Sequence, residues 1–236
     1  MYGRSILEAL AEADGTIISA SRNLKANEEA AGKLKLRGLK VHAMQVDQGN
    51  HQSVLELKEE IKGKFGTLDV FINNSVSRPM TRYEDPLQAW EESMKINATG
   101  MFDIVREMAD LMTEDRGGVI VNVGSIYGVF GPDFSLYEGM DMDVSPDYSF
   151  HKGGMVALTH YLARKLASRK IRVNCVSPGG LYTGQNKKFE DRYNRKTVVG
   201  RMARHDDIKG LIVFLSSPAS SYMTGENILI DGGLFC

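Results

Sequence analysis

Cysteine is scarce in this chain, which has only Cys175 and Cys236 among its 236 residues. Two cysteines cannot form a disulfide framework or a paired-cysteine zinc site, and the five histidines include no His-Glu-x-x-His arrangement. We therefore expect no metal site. The same scarcity favours a reducing compartment, which we take to be the cytoplasm.

Net charge and long apolar runs are also lacking. Lys and Arg number 29 against 30 Asp and Glu, so the sequence has no excess positive charge for nucleic acid or an anionic membrane. No stretch approaches the roughly 18 consecutive apolar residues that span a bilayer, and no charged segment followed by an apolar run begins the sequence. We expect a small-molecule substrate as partner, with no nucleic acid and no membrane.

The sequence does contain short apolar runs that alternate with longer amphipathic segments. This alternation predicts βαβ units and an α/β fold, a doubly wound parallel sheet of the Rossmann type with helices on both faces. No linker, repeat or low-complexity tract interrupts residues 1–236, which we interpret as one domain. The predicted strands are 16–20, 40–46, 68–72, 118–123, 171–176 and 228–230, and the predicted helices are 5–13, 25–37, 53–65, 87–113, 149–168 and 206–215.

The strongest local pattern is Tyr148-Ser-Phe-His-Lys152 at the start of a predicted helix. A spacing of four puts the phenol and the ammonium one turn apart on one helix face, and a nearby cation stabilises phenolate, which suits Tyr148 to acid/base catalysis. Tyr161 and Lys165 have the same spacing but lie on the nearly opposite face. Because Tyr161 stands among leucines within the helix, we interpret it as a core or interface residue.

These residues and their order resemble the short-chain dehydrogenase/reductase family. The residues that match the family's catalytic tetrad, in the family's order, are Asn97, Ser125, Tyr148 and Lys152. The stretch 172–179 resembles the family's sixth strand and its turn, and Asp231-Gly-Gly resembles its C-terminal signature. The resemblance covers essentially the whole chain. It implies a dinucleotide-binding domain that transfers a hydride between NAD(P)(H) and a carbonyl or hydroxyl group.

The resemblance implies a role for each member of the tetrad. Tyr148 would exchange a proton with the substrate oxygen while hydride moves at the adjacent carbon. Lys152 would support Tyr148 and bind the nicotinamide ribose. Ser125 would hydrogen-bond the reacting oxygen, and Asn97 would hold a water that links Lys152 to solvent.

The resemblance also implies which residues bind the cofactor. Besides Tyr148 and Lys152 they are Gly3, Ser21, Arg22, Asp47, Asn73, Pro178, Gly179 and Thr183. Asp47 would contact adenine, although it could equally cap the following helix, and Asn73 would contact the adenosine half or frame it. Pro178, Gly179 and Thr183 would hold the carboxamide end of the nicotinamide.

The residues at the end of the strand that matches the family's second strand indicate whether NAD(H) or NADP(H) is preferred. Members that prefer NAD place a carboxylate there to accept from the ribose 2′-hydroxyl, but this sequence has Ser21 followed by Arg22. An arginine accommodates a 2′-phosphate, so we expect NADP(H) to be favoured over NAD(H). The alternative is that Arg22 is only a solvated loop residue.

The sequence departs from the family at its first residues. The family's glycine-rich phosphate loop follows a first strand, whereas here Gly3 matches the last loop glycine and Met1 stands at the middle one. The first strand is missing, and because it normally lies between the second and fourth strands, two buried strands would lose ladder partners. We expect the natural protein to begin upstream of Met1. The alternative is a short variant that serves as a non-catalytic subunit or scaffold of the same fold.

The segment between Ser125 and Tyr148 is longer than is usual in the family. Its aromatic and acidic residues suit a hydroxyl-rich substrate such as a sugar, and 126–139 resembles family members from pathways for sialic-acid-like sugars such as legionaminate. The basic stretch 185–196 could meet a substrate phosphate or form a charged lid helix. The segments 87–113 and 149–168 resemble helices that pair between subunits, which implies a homodimer or homotetramer.

Overall fold

The structure is a computed structural model that describes residues Tyr2–Cys236. The strands are β1 (Ile17–Ser21), β2 (Val41–Gln45), β3 (Val70–Asn73), β4 (Gly118–Val123), β5 (Ile171–Pro178) and β6 (Asn227–Ile230). The α-helices are α1 (Gly3–Glu12), α2 (Leu24–Lys35), α3 (His51–Phe65), α4 (Leu87–Met94), α5 (Met101–Asp110), α6 (Pro146–Lys165), α7 (Lys187–Lys196) and α8 (Lys209–Ser216). Each strand pairing is parallel, which confirms the predicted α/β fold class.

The sheet is divided into two parts. β1 pairs with β2, while β3, β4, β5 and β6 form a four-stranded sheet in that order. In the strand order of a doubly wound fold, the missing first strand would stand between β1 and β3. The division falls at that point, and the residues of β1 and β3 are half-buried except for Asn73. As we predicted, β1 and β3 therefore lack the ladder partner that the family's first strand would supply.

Helix α1 joins the two parts of the sheet on one face. Leu7 and Ala11 pack with Val41 of β2, whereas Ile6 of the same helix packs with Val121 of β4. The two pairs of contacts use adjacent stripes of one amphipathic helix. Burying each leucine, isoleucine or valine side chain of these contacts contributes about 1.5–3 kcal/mol, so α1 holds the parts together without a strand between them.

Helices α3 and α5 cover the opposite face. Leu57 of α3 and Ile104 of α5 belong to one buried cluster, against which Ile18 of β1 and Phe71 of β3 pack. Since β1 and β3 lie on opposite sides of the division, this cluster spans it from the second face. The strand ends on both sides are thereby held in one layer.

The division predicts uneven protection of backbone amides. In a parallel strand, N–H groups point alternately to the two neighbouring strands, so part of those in β1 and β3 have no strand acceptor. We expect amide hydrogen exchange to be faster in β1 and β3 than in β4 and β5, which have a neighbour on each side. Hydrogen-exchange mass spectrometry measures this. Equal, slow exchange in all four strands would contradict the divided sheet.

Two predicted elements differ from the structure. The single helix predicted over 87–113 is interrupted by a π-helical turn at Lys95–Gly100. Gly100 approaches the loop after β2 so closely that a Cβ would lie 2.2 Å from the Gln48 backbone oxygen. The basic stretch 185–196 forms α7, but Phe189 and Tyr193 of α7 are buried, so it is not a helix that only faces solvent.

The helices of the described chain show no membrane-spanning segment. The 20-residue α6 includes charged residues such as Lys152, and none of the helices within Tyr2–Cys236 is long and apolar enough to cross a membrane. Over the same residues, no three His, Cys, Asp or Glu side chains cluster in a way that could hold a metal ion.

Candidate active site

The carboxyl ends of the strands bring most of the predicted site residues to one edge of the sheet. Ligands of open parallel sheets bind outside these ends. The predicted residues at or just beyond a strand end are Ser21, Arg22, Asp47, Asn73, Ser125, Pro178 and Gly179. The π turn supplies Asn97, α6 supplies Tyr148 and Lys152, and the turn after β5 supplies Thr183.

Tyr148 and Lys152 lie one turn apart near the start of α6. Ser145 is at the N-cap position and Pro146 follows as the first helical residue, a position where proline loses no hydrogen bond. Lys152 Nζ lies 5.9 Å from the centroid of the Tyr148 ring. The ring is half-buried, whereas Lys152 is 3% exposed. The predicted phenol–ammonium pair is therefore present, with the phenol on the accessible side.

Burial determines the chemistry of Lys152. Its Nζ donates a hydrogen bond of 2.6 Å to the Val123 backbone oxygen at the end of β4. Burial, with a smaller contribution from the positive charge of Arg78, lowers the pKa of Lys152 to about 8. An amine that titrates this close to neutral pH can return a proton to a neighbouring phenolate.

Ser125 begins a 3-10 turn, Ile126–Gly128, that packs against α6. Its Oγ accepts a hydrogen bond of 3.2 Å from the Tyr127 backbone N–H. A Cβ on Gly128 would lie 2.5 Å from the Lys152 carbonyl carbon, so only glycine allows the turn to approach the helix backbone this closely. This contact holds the Ser125 turn beside the helix segment that carries Tyr148 and Lys152.

Asn97 is buried in the π turn, a feature often found at functional sites. Its Oδ1 accepts from the Ser77 backbone N–H at 2.8 Å, and its Nδ2 donates to the Ser77 oxygen at 2.8 Å and to Ser93 Oγ at 3.0 Å. Ser93 Oγ in turn donates to Asp147 Oδ2 at 2.5 Å. A chain of hydrogen bonds thus connects Asn97 to the residue before Tyr148.

Sequence reasoning missed two buried groups beside this tetrad. Asp147 is 1% exposed and its Oδ1 has no hydrogen-bond partner among the described residues. His151 is 2% exposed, its Nε2 also lacks a partner there, and its ring packs edge-on to Tyr148 with 5.3 Å between centroids. Burial, and then the Lys152 charge, lower the pKa of His151 to about 4, so the imidazole is neutral at pH 7. The one signal in the sequence for Asp147 and His151 is that they are adjacent to Tyr148 and Lys152.

Arg78 is a further missed residue. It lies in the loop between β3 and α4, and its guanidinium carbon stands 4.7 Å from the centroid of the Tyr148 ring. Because 70 positions separate the two residues along the chain, no local spacing could indicate this contact. The sequence motif around Arg78 carries no other signal.

The end of β1 presents a basic side chain. Ser21 Oγ donates to Asn27 Oδ1 at 3.0 Å, which fixes the serine in the turn. Arg22 is exposed, and within residues 2–236 only its backbone oxygen takes part in a hydrogen bond, accepted from Gln45 Nε2 at 3.0 Å. Its guanidinium is therefore available to an anionic ligand.

Asp47 and Asn73 stand at the next two strand ends. Asp47 Oδ1 accepts from the Gly49 backbone N–H at 2.9 Å, and α3 is capped by Asn50 instead of Asp47. Asn73 is 1% exposed, its Nδ2 donates to Asn122 Oδ1 at 3.2 Å, and its Oδ1 has no partner in the described chain. A buried acceptor without a partner costs about 1–3 kcal/mol, which a ligand donor would recover.

Pro178 and Gly179 end β5 and begin the turn that leads to Thr183. A Cβ on Gly179 would lie 2.9 Å from the Tyr193 hydroxyl oxygen and 3.0 Å from Asp231 Cα, so this glycine is required for packing. The backbone N–H of Thr183 donates to Gln185 Oε1 at 2.7 Å, and its side chain is exposed. The turn is ordered by the protein itself and presents the Thr183 hydroxyl outward.

These residues fit the two ends of a nicotinamide dinucleotide. Arg22 suits a ribose phosphate, the unpartnered Oδ1 of Asn73 suits a donor of the adenosine half, and Lys152 suits ribose hydroxyls. Gly3 begins α1, where a Cβ would lie 3.1 Å from Asn74 Nδ2, so the helix N-terminus stands beside the end of β3 and can face a pyrophosphate. Met1 lies outside the described residues.

Comparison with known proteins shows which family the chain resembles over its whole length. The family model described as Enoyl-(Acyl carrier protein) reductase matches residues 2–235. A 3-oxoacyl-[acyl-carrier-protein] reductase of Aquifex aeolicus is 31% identical over 99% of this chain and 92% of its own. A short-chain type dehydrogenase/reductase of Mycobacterium marinum has a TM-score of 0.87 and 29% identity, over 100% of this chain and 91% of that one. A gluconate 5-dehydrogenase of Burkholderia cenocepacia, solved with NADP and tartrate, has a TM-score of 0.89 and 24% identity, over 99% of this chain and 91% of that one. At this identity the similarity shows the fold alone.

The chain belongs to the short-chain dehydrogenase/reductase family. The resemblance drawn from the tetrad and the strand-end residues is thereby confirmed, together with the Rossmann-type fold. Membership of this family makes oxidoreduction with a nicotinamide cofactor the class of reaction.

Proposed function

We propose that this protein transfers a hydride between NADP(H) and a carbonyl or hydroxyl group of a polar substrate, with Tyr148 as general acid/base. The observation that supports this most is the placement of Tyr148, Lys152 and the Ser125 turn together at the carboxyl edge of the sheet. The accessible phenol and the buried ammonium beside it are the arrangement that proton transfer to a substrate oxygen requires.

Each residue has a step that its geometry allows. In the reductive direction, Tyr148 gives its phenolic proton to the substrate oxygen, while the bound cofactor supplies the hydride. Lys152 stabilises the phenolate and returns a proton to it. Ser125 Oγ accepts from a backbone N–H, which leaves its own hydrogen free to be donated to the reacting oxygen.

Arg22 supports NADP(H) over NAD(H). Its exposed guanidinium can pair with a 2′-phosphate, which NADPH has and NADH lacks. We expect Arg22→Ala to weaken NADPH binding about tenfold or more and to leave NADH binding unchanged, as measured by cofactor fluorescence. Lys25→Ala, an exposed cation on the next helix, is the matched control and should change neither affinity. Equal losses for both cofactors would overturn the assignment of Arg22.

The segment between Ser125 and Tyr148 supports a hydroxyl-rich substrate such as a sugar. The hydroxyl oxygens of Tyr127 and Tyr137 lie 2.6 Å apart in this segment, near Tyr148. Arg192 of α7 donates to the backbone oxygens of Ser135, Leu136 and Glu138. Arg192 therefore ties the segment to α7, which argues against its use for a substrate phosphate.

The reaction is tested by a screen of keto-sugars, sugar phosphates and 3-oxoacyl thioesters with NADPH and with NADH, followed by cofactor absorbance. The thioesters represent the activity named for the Aquifex aeolicus relative. We expect NADPH-dependent turnover of a polyhydroxylated carbonyl compound. Turnover of the thioesters alone would contradict the proposed sugar-like substrate and indicate an acyl thioester instead. Absence of cofactor binding would contradict the proposed reaction.

We also propose that α4, α5 and α6 form the contact between subunits of a homodimer or homotetramer. The exposed apolar residues on these helices are Leu87, Phe102, Phe150 and Tyr161. Tyr161 is 58% exposed, so of the two roles expected for it, the core role is wrong and the interface role is retained here. A cytoplasmic location stays a prediction from cysteine usage.

A further inference from the structure

Arg78 is an arginine without a protein counter-ion at the mouth of the candidate site. Its side chain is exposed, and it forms no hydrogen bond or ion pair with any of residues 2–236 that the structure describes. Arg82, four residues further along the same loop, donates instead to Asp141 at 3.1 Å. Asp141 is therefore already paired with another arginine.

The electrostatic surroundings of Arg78 are positive. The charge of Arg78 is a cause of the lowered pKa of both Lys152 and His151, which places it close to both groups. Asp147 is the nearby carboxylate, but it is buried and its Oδ2 accepts from Ser93. Two cations near one pocket repel each other unless an anion joins them, so this arrangement favours an anionic ligand.

The Tyr148 ring fixes the guanidinium. A guanidinium stacked over an aromatic face at 4.7 Å gains a cation–π attraction and loses side-chain freedom. A planar group held in this way presents its N–H donors as a fork that matches the two oxygens of a carboxylate or phosphate. Since the same ring carries the phenol, an anion on Arg78 would lie beside the reacting carbonyl.

We propose that Arg78 binds an oxyanion group of the substrate, so that the substrate of this protein is an acid: a hydroxy- or keto-carboxylate, or a phosphorylated sugar of the same size. This inference rests on the proposed function and narrows its substrate class. The cofactor's own 2′-phosphate is assigned to Arg22 at the end of β1, a different strand end, so the two arginines serve different anions.

The test measures ligand binding by calorimetry, with the free protein and with the NADP⁺-saturated protein. The probes are meso-tartrate, erythritol 4-phosphate and erythritol, which share a four-carbon polyol chain and differ in their end groups. We expect at least one anionic probe to bind at least tenfold more tightly than erythritol, and Arg78→Met to remove that difference. Preference for tartrate identifies a carboxylate as the anion, and preference for the phosphate ester identifies a phosphate.

Arg82→Met is the matched control and should keep the preference, because Arg82 belongs to the same loop but is paired with Asp141. Arg78→Lys keeps the positive charge but loses the paired N–H donors of the guanidinium, so it should bind the anion with an intermediate affinity. Thermal melting checks that each variant is folded. Equal binding of erythritol and the anions by the natural protein, or an unchanged preference in Arg78→Met, would overturn the proposal.

The outcomes separate this inference from the proposed function. If anions bind through Arg78 but no substrate is turned over with NADPH, the anion site stands and the oxidoreductase proposal fails. If an acidic carbonyl compound is turned over and Arg78→Met leaves its KM unchanged, the reaction stands and the anion site fails. A role of Arg78 in positioning Tyr148 alone would lower kcat for neutral and acidic substrates equally, and would also overturn the proposal.

Discussion

Replacing Tyr148 with phenylalanine is expected to lower kcat by about 10²–10⁴-fold, the usual contribution of a positioned general acid/base. The substitution removes one hydroxyl from a half-buried ring and leaves the contacts of the ring with Arg78 and His151. We therefore expect an unchanged melting temperature and nearly unchanged cofactor affinity. Steady-state kinetics and cofactor titration of the purified variant measure these quantities.

Tyr161→Phe is the matched control for this substitution. It changes the same group in the second Tyr-x-x-x-Lys pair of the same helix, and the Tyr161 side chain is 58% exposed on another face. It should leave kcat within about twofold of the natural value, since exposed substitutions away from a site have small effects. Full turnover by Tyr148→Phe, or equal losses in the two variants, would remove Tyr148 from the reaction.

Lys152→Met is expected to lower kcat by at least about 10²-fold and to change how stability depends on pH. The folded-state pKa of Lys152, about 8, lies below its ordinary value of 10.5 because the cation is buried. Below pH 8 the folded protein bears the full cost of that buried charge. Between pH 8 and 10.5 the unfolded chain binds more protons, so the stability contributed at this position rises with pH.

The natural protein should therefore gain stability relative to Lys152→Met as pH rises through 8, by roughly 3 kcal/mol across the whole range. Urea unfolding of both proteins at pH 7 and pH 9.5 measures the difference between them. Lys165→Met, an exposed lysine of the same helix, is the control and should show a pH-independent difference. A stability difference that stays constant or moves the other way would show that Lys152 is not desolvated.

The fold and the residues at strand ends could be predicted from the sequence because they depend on local patterns. Alternating apolar runs define β4 and its neighbours, and the carboxyl ends of parallel strands meet at one edge whatever the loops do. The missing first strand could be predicted for the same reason, since strand order fixes which neighbours lose a partner. That 1–236 forms one domain stays a prediction.

The remaining parts of the site depend on contacts between distant segments. Arg78 reaches Tyr148 from the loop after β3, and Ser93 reaches Asp147 from α4. Neither pair has a spacing that local periodicity reports. The π turn around Asn97 is set by the close approach of Gly100 to the Gln48 backbone, which is also a tertiary contact. These features are set by tertiary contacts and not by local sequence patterns.

The alternative of a non-catalytic subunit depends on the incomplete glycine-rich loop and the missing first strand. One glycine at the start of α1 and a divided sheet would weaken pyrophosphate binding, whereas the pair of Tyr148 and Lys152 would have no purpose in a scaffold. The two hypotheses differ most in cofactor binding, because only an enzyme requires it.

A fluorescence titration of the purified natural protein with NADPH is the most direct measurement of the central claim. We predict saturable binding of NADPH at one site per chain, weakened by Arg22→Ala and retained by Tyr148→Phe. A protein of this sequence that is folded and shows no saturable binding of NADPH or NADH would contradict the account and favour the scaffold.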